Sequence, residues 1–247
     1  MVNVKGKWAL ITGANRGIGY QIAIFMAKQG CNLILHSRNL EHTKIVESEV
    51  KAFGVNAYCV QAELSNNQEV IAMLDEIDAN QTVVDIVFNN AAVQIAYRTD
   101  YFKTPIEDFD ISFRINFIAA ITICYRLIPK MIKRGFGRVI NTTSGIINEP
   151  EQAGYSASKA ALDKFTKDLG SKLEGTDVMI NLTDPGWCRT DLGGKHAPNA
   201  VESCIPGIVV GAFVDDKKNG RFLNAQYFTG MSLDSAVIKA ETINSNY

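Results

Sequence analysis

The sequence predicts an α/β fold, a parallel sheet covered by helices on both faces. Short β-rich runs alternate with longer segments whose apolar residues recur every three or four positions, the pattern of strands and amphipathic helices in turn. The motifs able to carry chemistry each fall just after one of those runs, where open parallel sheets bind their ligands. No Gly/Pro/Ser-rich linker, low-complexity tract or internal repeat divides the 247 residues, so residues 1–247 are expected to form a single domain. The last stretch, from about 224 to 247, reads as a polar C-terminal extension.

The expected strands, in order, are Trp8–Thr12, Asn32–His36, Ala57–Gln61, Val83–Asn89, Arg138–Thr143, Val178–Thr183 and Arg221–Leu223. Between the first two, Ile18, Ile22, Phe25 and Met26 mark a helical stripe. Later, Leu162, Phe165, Leu169 and Leu173 mark another, which puts Tyr155 and Lys159 near the start of the same helix. Crossovers between parallel strands are expected to be right-handed.

Bulk properties exclude several classes. A net charge of -1 offers no electrostatic reason to bind nucleic acid or an anionic membrane. Cys31, Cys59, Cys124, Cys188 and Cys204 are odd in number, widely spaced and without a CxxC pair, and read as reduced thiols. The N-terminus enters a strand and turn too early for a signal peptide, and the longest apolar stretch, Phe117 to Tyr125, is too short to span a bilayer. A cytoplasmic protein is expected. His36, His42 and His196 have no metal-ligand spacing and read as surface or packing residues, so no metal site is expected.

The run Thr12-Gly13-Ala14-Asn15-Arg16-Gly17-Ile18-Gly19 follows the first strand and opens a helix. Its glycines permit a tight turn, close approach of backbone to a pyrophosphate and close helix–strand packing, while the helix start offers unpaired N–H groups to phosphate. The spacing is GxxxGxG, not GxGxxG. The second strand ends His36-Ser37-Arg38, where an NAD site typically carries an acid for the ribose 2′-hydroxyl. Ser37 and Arg38, with Arg16 in reach, suit a 2′-phosphate, so NADP(H) is favoured over NAD(H).

Tyr155 and Lys159 lie four residues apart in Tyr-Ser-Ala-Ser-Lys, side by side on a helix. A phenol ordinarily titrates near pH 10, and a fixed cation is needed to bring it toward working pH as an acid catalyst. With the Gly-rich loop, Asn89-Asn90-Ala91-Ala92, Asn116, Ser144 and Pro185-Gly186 followed by Thr190, the pair resembles the short-chain dehydrogenase/reductase family from about Lys7 to Thr190. The resemblance implies a Rossmann-like, doubly wound domain with a seven-stranded parallel sheet. It implies Tyr155 as general acid in reduction and base in oxidation. Lys159 would depress the phenol pKa and hold the nicotinamide ribose. Ser144 would bind the substrate oxygen, with Thr143 a rival, and Asn116 would anchor a water leading to Lys159. Cofactor contacts are implied for Gly13, Asn15, Arg16, Gly17, Ile18, Gly19, Ser37, Arg38, Glu63, Leu64, Asn90, Ala91, Ala92, Tyr155, Lys159, Pro185, Gly186, Cys188 and Thr190.

The chain also departs from that family's pattern. Ala92 stands where glycine is usual, Ala-Glu-Leu at 62–64 replaces an Asp-centred adenine contact, and the Ser144–Tyr155 span is a couple of residues short. That span carries Asn148, Glu149, Pro150 and Glu151, which implies a more open or more polar substrate rim. Gln94, Ile146, Trp187 and Leu192 are further candidates for the substrate pocket. Pro-Gly-Trp-x-Arg-Thr-Asp resembles the family's carbonyl reductases, pointing to a small carbonyl or alcohol substrate. The rival readings are a 3-oxoacyl thioester reductase and a non-catalytic dinucleotide-binding regulatory protein. A homodimer or tetramer is compatible with the resemblance.

Overall fold

A computed structural model describes residues 1–244. Seven strands form one parallel sheet in the order β3-β2-β1-β4-β5-β6-β7, where β1 is Trp8–Thr12, β2 Asn32–Ser37, β3 Ala57–Gln61, β4 Val84–Asn89, β5 Gly137–Thr142, β6 Val178–Asp184 and β7 Phe222–Asn224. The order reverses between β2-β1 and β4, which opens a crevice above the carboxyl ends of the central strands. The central strands are buried on both faces, so they read as near-continuous apolar runs such as Ala9, Leu10 and Ile11.

Helices α1 (Gly17–Lys28) and α2 (Leu40–Lys51) cover one face; α3 (Asn67–Ala79), α5 (Ala119–Arg134) and α6 (Ala153–Ser171) cover the other. The short α4 (Ile106–Phe113) runs into α5 through a π-helical turn at Arg114–Ile118 and packs on α6. By length and composition the continuous run Ile106–Arg134 could cross a bilayer, which the longest apolar stretch alone does not suggest. Its stripe Ala120, Ile123, Cys124, Leu127 and Met131 packs against the sheet instead, as in a core helix.

The expected polar extension needs correction over its described part. Residues 225–242 form a 3-10 turn and helix α7 (Leu233–Thr242), with Phe228, Ala236, Val237 and Ala240 buried in the same core as α1. Small apolar residues at helical spacing bury a narrow stripe that the surrounding polar residues conceal in the sequence. Residues 245–247 lie outside the described residues.

Candidate active site

The site begins with how β1 and β4 are joined at their ends. Thr12 Oγ1 accepts the N–H groups of Asn90 and Ala91 at 2.9 and 3.0 Å, and Asn90 Nδ2 donates to the Thr12 carbonyl at 3.0 Å. Asn89 extends the network to Asn141 on β5 at 2.8 Å. These bonds fix the floor of a cleft of about 420 Å³ that runs along the carboxyl edge of the sheet.

The Gly-rich loop forms one wall. A Cβ at Gly19 would lie 2.0 Å from the Gly13 carbonyl oxygen, so only glycine permits this turn. Gly13 itself has φ +66° and approaches Ala91. Unlike α2 and α3, whose starts are capped by Asn39 and Asn66, α1 begins without a side-chain cap and has no acid in its first turn. Its first N–H groups therefore face the cleft as an anion site, and these features fit a dinucleotide pyrophosphate.

Of the residues expected to meet a cofactor, Gly13, Asn15, Arg16, Gly17, Ile18, Ser37, Arg38, Glu63, Leu64, Asn90, Ala91, Ala92, Tyr155, Lys159, Pro185 and Thr190 line this cleft. Gly19 lies behind the wall, in the first turn of α1. Gly186 and Cys188 also stand behind it. Gly186 packs against Gln226, and the buried Cys188 thiol donates to the Pro185 carbonyl at 3.3 Å. Burial raises the Cys188 pKa, which suits an inert, structural thiol.

At the adenosine end the structure amends two expectations. The Ser37 hydroxyl is buried, donates to the Asn39 carbonyl at 2.7 Å and meets Thr43 Oγ1, so it serves the start of α2 and not a ligand. Arg16 does not point toward Arg38; its Nη1 lies 2.6 Å from Asp191 Oδ2 in the loop after β6. Arg38 remains 69% exposed, with Glu63 Oε2 at 3.7 Å. Such exposed pairs are weak enough for a phosphate to displace.

His36, which the sequence left without a role, lies buried beneath the loop. Gly13 N–H donates to its Nδ1 at 3.3 Å, which puts the ring proton on Nε2, hydrogen-bonded to the Ala62 carbonyl at 3.0 Å. Burial lowers its pKa from 6.5 to about 4, against smaller upward pulls from Ala62 and Glu63. The folded chain thus refuses a proton that the unfolded chain accepts. The stability this contributes is present above pH 6.5 and drains away as pH falls toward 4, a loss approaching about 3 kcal/mol. Urea unfolding at steps from pH 7 to pH 4 should show a steeper decline in the wild type than in His36→Gln; equal slopes would dismiss this account.

At the other end, α6 presents Tyr155, Lys159 and Asp163 on one stripe, four residues apart. Lys159 Nζ donates to the Thr142 carbonyl at 2.7 Å and lies 5.9 Å from the centre of the Tyr155 ring. Burial lowers the Lys159 pKa to about 8, while Asp163 and Asp184 pull it upward. The Tyr155 pKa is raised, first by burial and then by Asp184, against a hydrogen bond to Ser144 that lowers it. The expected depression of the phenol by Lys159 is not found here: the one group that lowers it is Ser144, and burial outweighs it.

Ser144 lies against the Tyr155 hydroxyl without lining the cleft, whereas Thr143 lines the cleft with its hydroxyl bound to Asp163. Asn116 stands outside the main cleft, in the π-helical turn. Its side chain brackets Val93, accepting from its N–H at 2.8 Å and donating to its carbonyl at 2.9 Å, and also donates to Ser158 at 3.0 Å. It therefore holds the loop after β4. Of the substrate-pocket candidates, Gln94 and Leu192 line the cleft; Trp187 is exposed beside it, its indole N–H bound to the Gly193 carbonyl. Asp184 and Asp191 were missed. Asp191 lies in a loop without periodicity, but Asp184 directly precedes Pro-Gly at a strand end, a position that could have flagged it.

A crevice at the sheet's topological switch point, an uncapped helix start and a Tyr–Lys–Ser group at one end together define a dinucleotide-dependent oxidoreductase. Residues 7–200 match the family model for short chain dehydrogenases. The chain is 28% identical over 236 residues to the 3-oxoacyl-[acyl-carrier-protein] reductase FabG of Staphylococcus aureus (strain Mu50 / ATCC 700699), covering 92% of this chain and 95% of that one. A metagenomic short-chain oxidoreductase solved in complex with NADP superposes with a TM-score of 0.69 at 28% identity, covering 75% and 83% of the two chains. NAD+-bound xylitol dehydrogenase shares the fold with a TM-score of 0.80 at 24% identity, covering 90% and 98%. The chain belongs to the short-chain dehydrogenase/reductase family. It is an NAD(P)-dependent oxidoreductase of carbonyl and alcohol groups.

Proposed function

We propose that the protein is an NADP(H)-dependent reductase of small ketones or aldehydes, with Tyr155 as the proton donor. The observation that carries this reading is the convergence of Tyr155, with Ser144 against its hydroxyl, and Lys159 at one end of a cleft whose other end presents Arg38 and no acid after β2. When bound, the nicotinamide supplies the hydride. Ser144 orients the substrate oxygen beside Tyr155, which gives it a proton. Lys159, held by the Thr142 carbonyl, stabilises the phenolate that remains. In the alcohol-to-carbonyl direction the same phenolate takes the proton back.

Arg38 is the residue that favours the 2′-phosphate, as a guanidinium matches phosphate oxygens in a charge-assisted, often bidentate contact. Titration of NADPH and NADH against the protein tests this: NADPH is expected to bind more tightly, and Arg38→Ala to erase most of the difference. Equal affinity in the wild type would refute the preference. Oxidation of NADPH across a panel of carbonyls then tests the reaction itself.

A 3-oxoacyl thioester reductase is the second reading, favoured by similarity to the Staphylococcus enzyme. A phosphopantetheine carrier calls for a basic entrance. Here the segment before Tyr155 carries Glu149 and Glu151, and nearby Arg98 is committed to Asp108 at 2.7 Å. That rim supports a free carbonyl compound, and a carrier-bound 3-oxoacyl substrate belongs in the panel to distinguish the two. Exposed Ile118, at the end of the π-helical turn, with Tyr125 and Ile132 on α5, supports self-association as a dimer or tetramer.

A further inference from the structure

Asp184 is the last residue of β6, and its carboxyl group is buried directly behind the reacting end of the cleft. Oδ1 accepts the Gly186 N–H at 2.9 Å, and the carboxylate lies against the backbone of Gly145, whose N–H favours its charged form. Gly145 follows Ser144; Gly186 follows Pro185, which lines the cleft. The contact with Gly145 is close: a Cβ at 145 would lie 2.8 Å from Asp184 Oδ2, so the carboxylate would have to shift to admit it. The two segments are adjacent because β5 and β6 pair in register up to Thr142 and Thr183, and the Thr143 N–H continues the ladder to the Thr183 carbonyl at 2.8 Å. Beyond that point the ladder ends, and the carboxylate takes over the joining of the two strand ends.

We propose that Asp184 is a positioning residue that clamps the Ser144–Gly145 turn to the Pro185–Gly186 wall, so that the serine hydroxyl and the face presented to the cofactor are held as one unit beside Tyr155. The proposal rests on the reading of Tyr155 and Ser144 given above. A carboxylate suits the task because it is an acceptor with two oxygens, each able to take one amide, and charge-assisted bonds of this kind hold geometry more firmly than neutral ones. Its charge is also felt by the reacting groups. The groups facing it are Tyr155, Lys159 and Asp163 on α6 and Cys188 in the following loop. A negative charge there raises the pKa of both the phenol and the ammonium. Its removal lowers both, whichever of the two carries an observed pH limb.

Two variants test the clamp and a third the reading beneath it, with thermal melting measured for each as the sign of an intact fold. Asp184→Asn keeps one acceptor but turns an NH2 toward an N–H and removes the charge. It is expected to lower kcat for carbonyl reduction by roughly tenfold to a hundredfold, with a smaller change in KM. The pH limb of alcohol oxidation should move to lower pH by about one unit. Gly145→Ala pushes on Oδ2 without altering charge, so kcat should fall while the pH limb stays. An Asp184→Asn enzyme with wild-type kcat and an unmoved limb would overturn the proposal. If Asp184→Asn does not fold, Gly145→Ala decides: a lower kcat with cofactor still bound upholds the clamp, and a wild-type kcat overturns it. Tyr155→Phe separates this from the parent reading, because normal turnover in that variant would remove the site's mechanism altogether, and not only the clamp.

Discussion

Tyr155→Phe should lower kcat/KM for carbonyl reduction by roughly 10²–10⁴-fold, the usual worth of a positioned general acid, while NADPH affinity stays close to wild type. The substitution removes one oxygen from a buried ring and leaves the packing of α6 intact. What it deletes is the proton donor and its hydrogen bond with Ser144. The pH dependence sharpens the test. Burial and Asp184 raise the phenol pKa, so alcohol oxidation by the wild type should speed up with rising pH as phenolate accumulates. The residual oxidation by the Phe variant should lack that limb. Single-turnover rates at matched cofactor saturation measure both effects, and normal turnover by the variant would end the case for Tyr155.

The sheet was readable because its central strands are buried on both faces. A run such as Trp8–Thr12 has no polar face to blur its limits, and its boundaries agree with the structure, as do those of the edge strand Ala57–Gln61. The region after Thr190 lacked any such periodicity. It descends through short 3-10 turns, with Val209, Val210, Ala212 and Phe213 buried as a compact apolar knot that neither a strand nor a helix pattern describes. In α7 the buried stripe is only Ala236, Val237 and Ala240, too narrow to stand out among charged and hydroxyl residues.

The site divides along a similar line. Residues tied to glycine turns and to the Tyr155–Lys159 helical spacing could be placed from order along the chain, because backbone conformation and helical period are local properties. Ser37 and Arg16 could not, since their partners, Thr43 and Asp191, are decided by folding. Whether Thr143 or Ser144 meets the phenol depends on how the chain turns after β5 ends at Thr142, which no local period records. Asp184 could have been flagged only by its position before Pro-Gly: a carboxylate in sequence reads as solvated, and the fold alone reveals that two backbone segments and a buried lysine surround it.

Arg221→Met should be the most destabilising of these substitutions, at about 3–5 kcal/mol, because it breaks a buried ion pair from one side. Arg221 is 0% exposed. Its guanidinium pairs with Asp216, donates from Nε to the Ile243 carbonyl at 2.8 Å, and donates from Nη1 to the Lys218 carbonyl at 2.9 Å. It thereby fastens the end of α7 and the turn before β7 to the edge of the sheet. Arg138 makes a parallel fastening one layer in, from β5 to the Val214 carbonyl at 3.1 Å and to Asp177 at 2.9 Å. Methionine can fill much of the arginine's volume, so the loss would come from Asp216 and two carbonyls left without their donor, not from a cavity. For a domain of this size each kcal/mol lowers Tm by about 2–4 °C, so the melting point should fall by roughly 6–20 °C. Adding Asp216→Asn should recover part of that loss, since the stranded charge goes with it. A single variant melting within about 2 °C of wild type would mean that the C-terminal helix is held by its apolar stripe alone, and that Arg221 merely occupies the space beneath it.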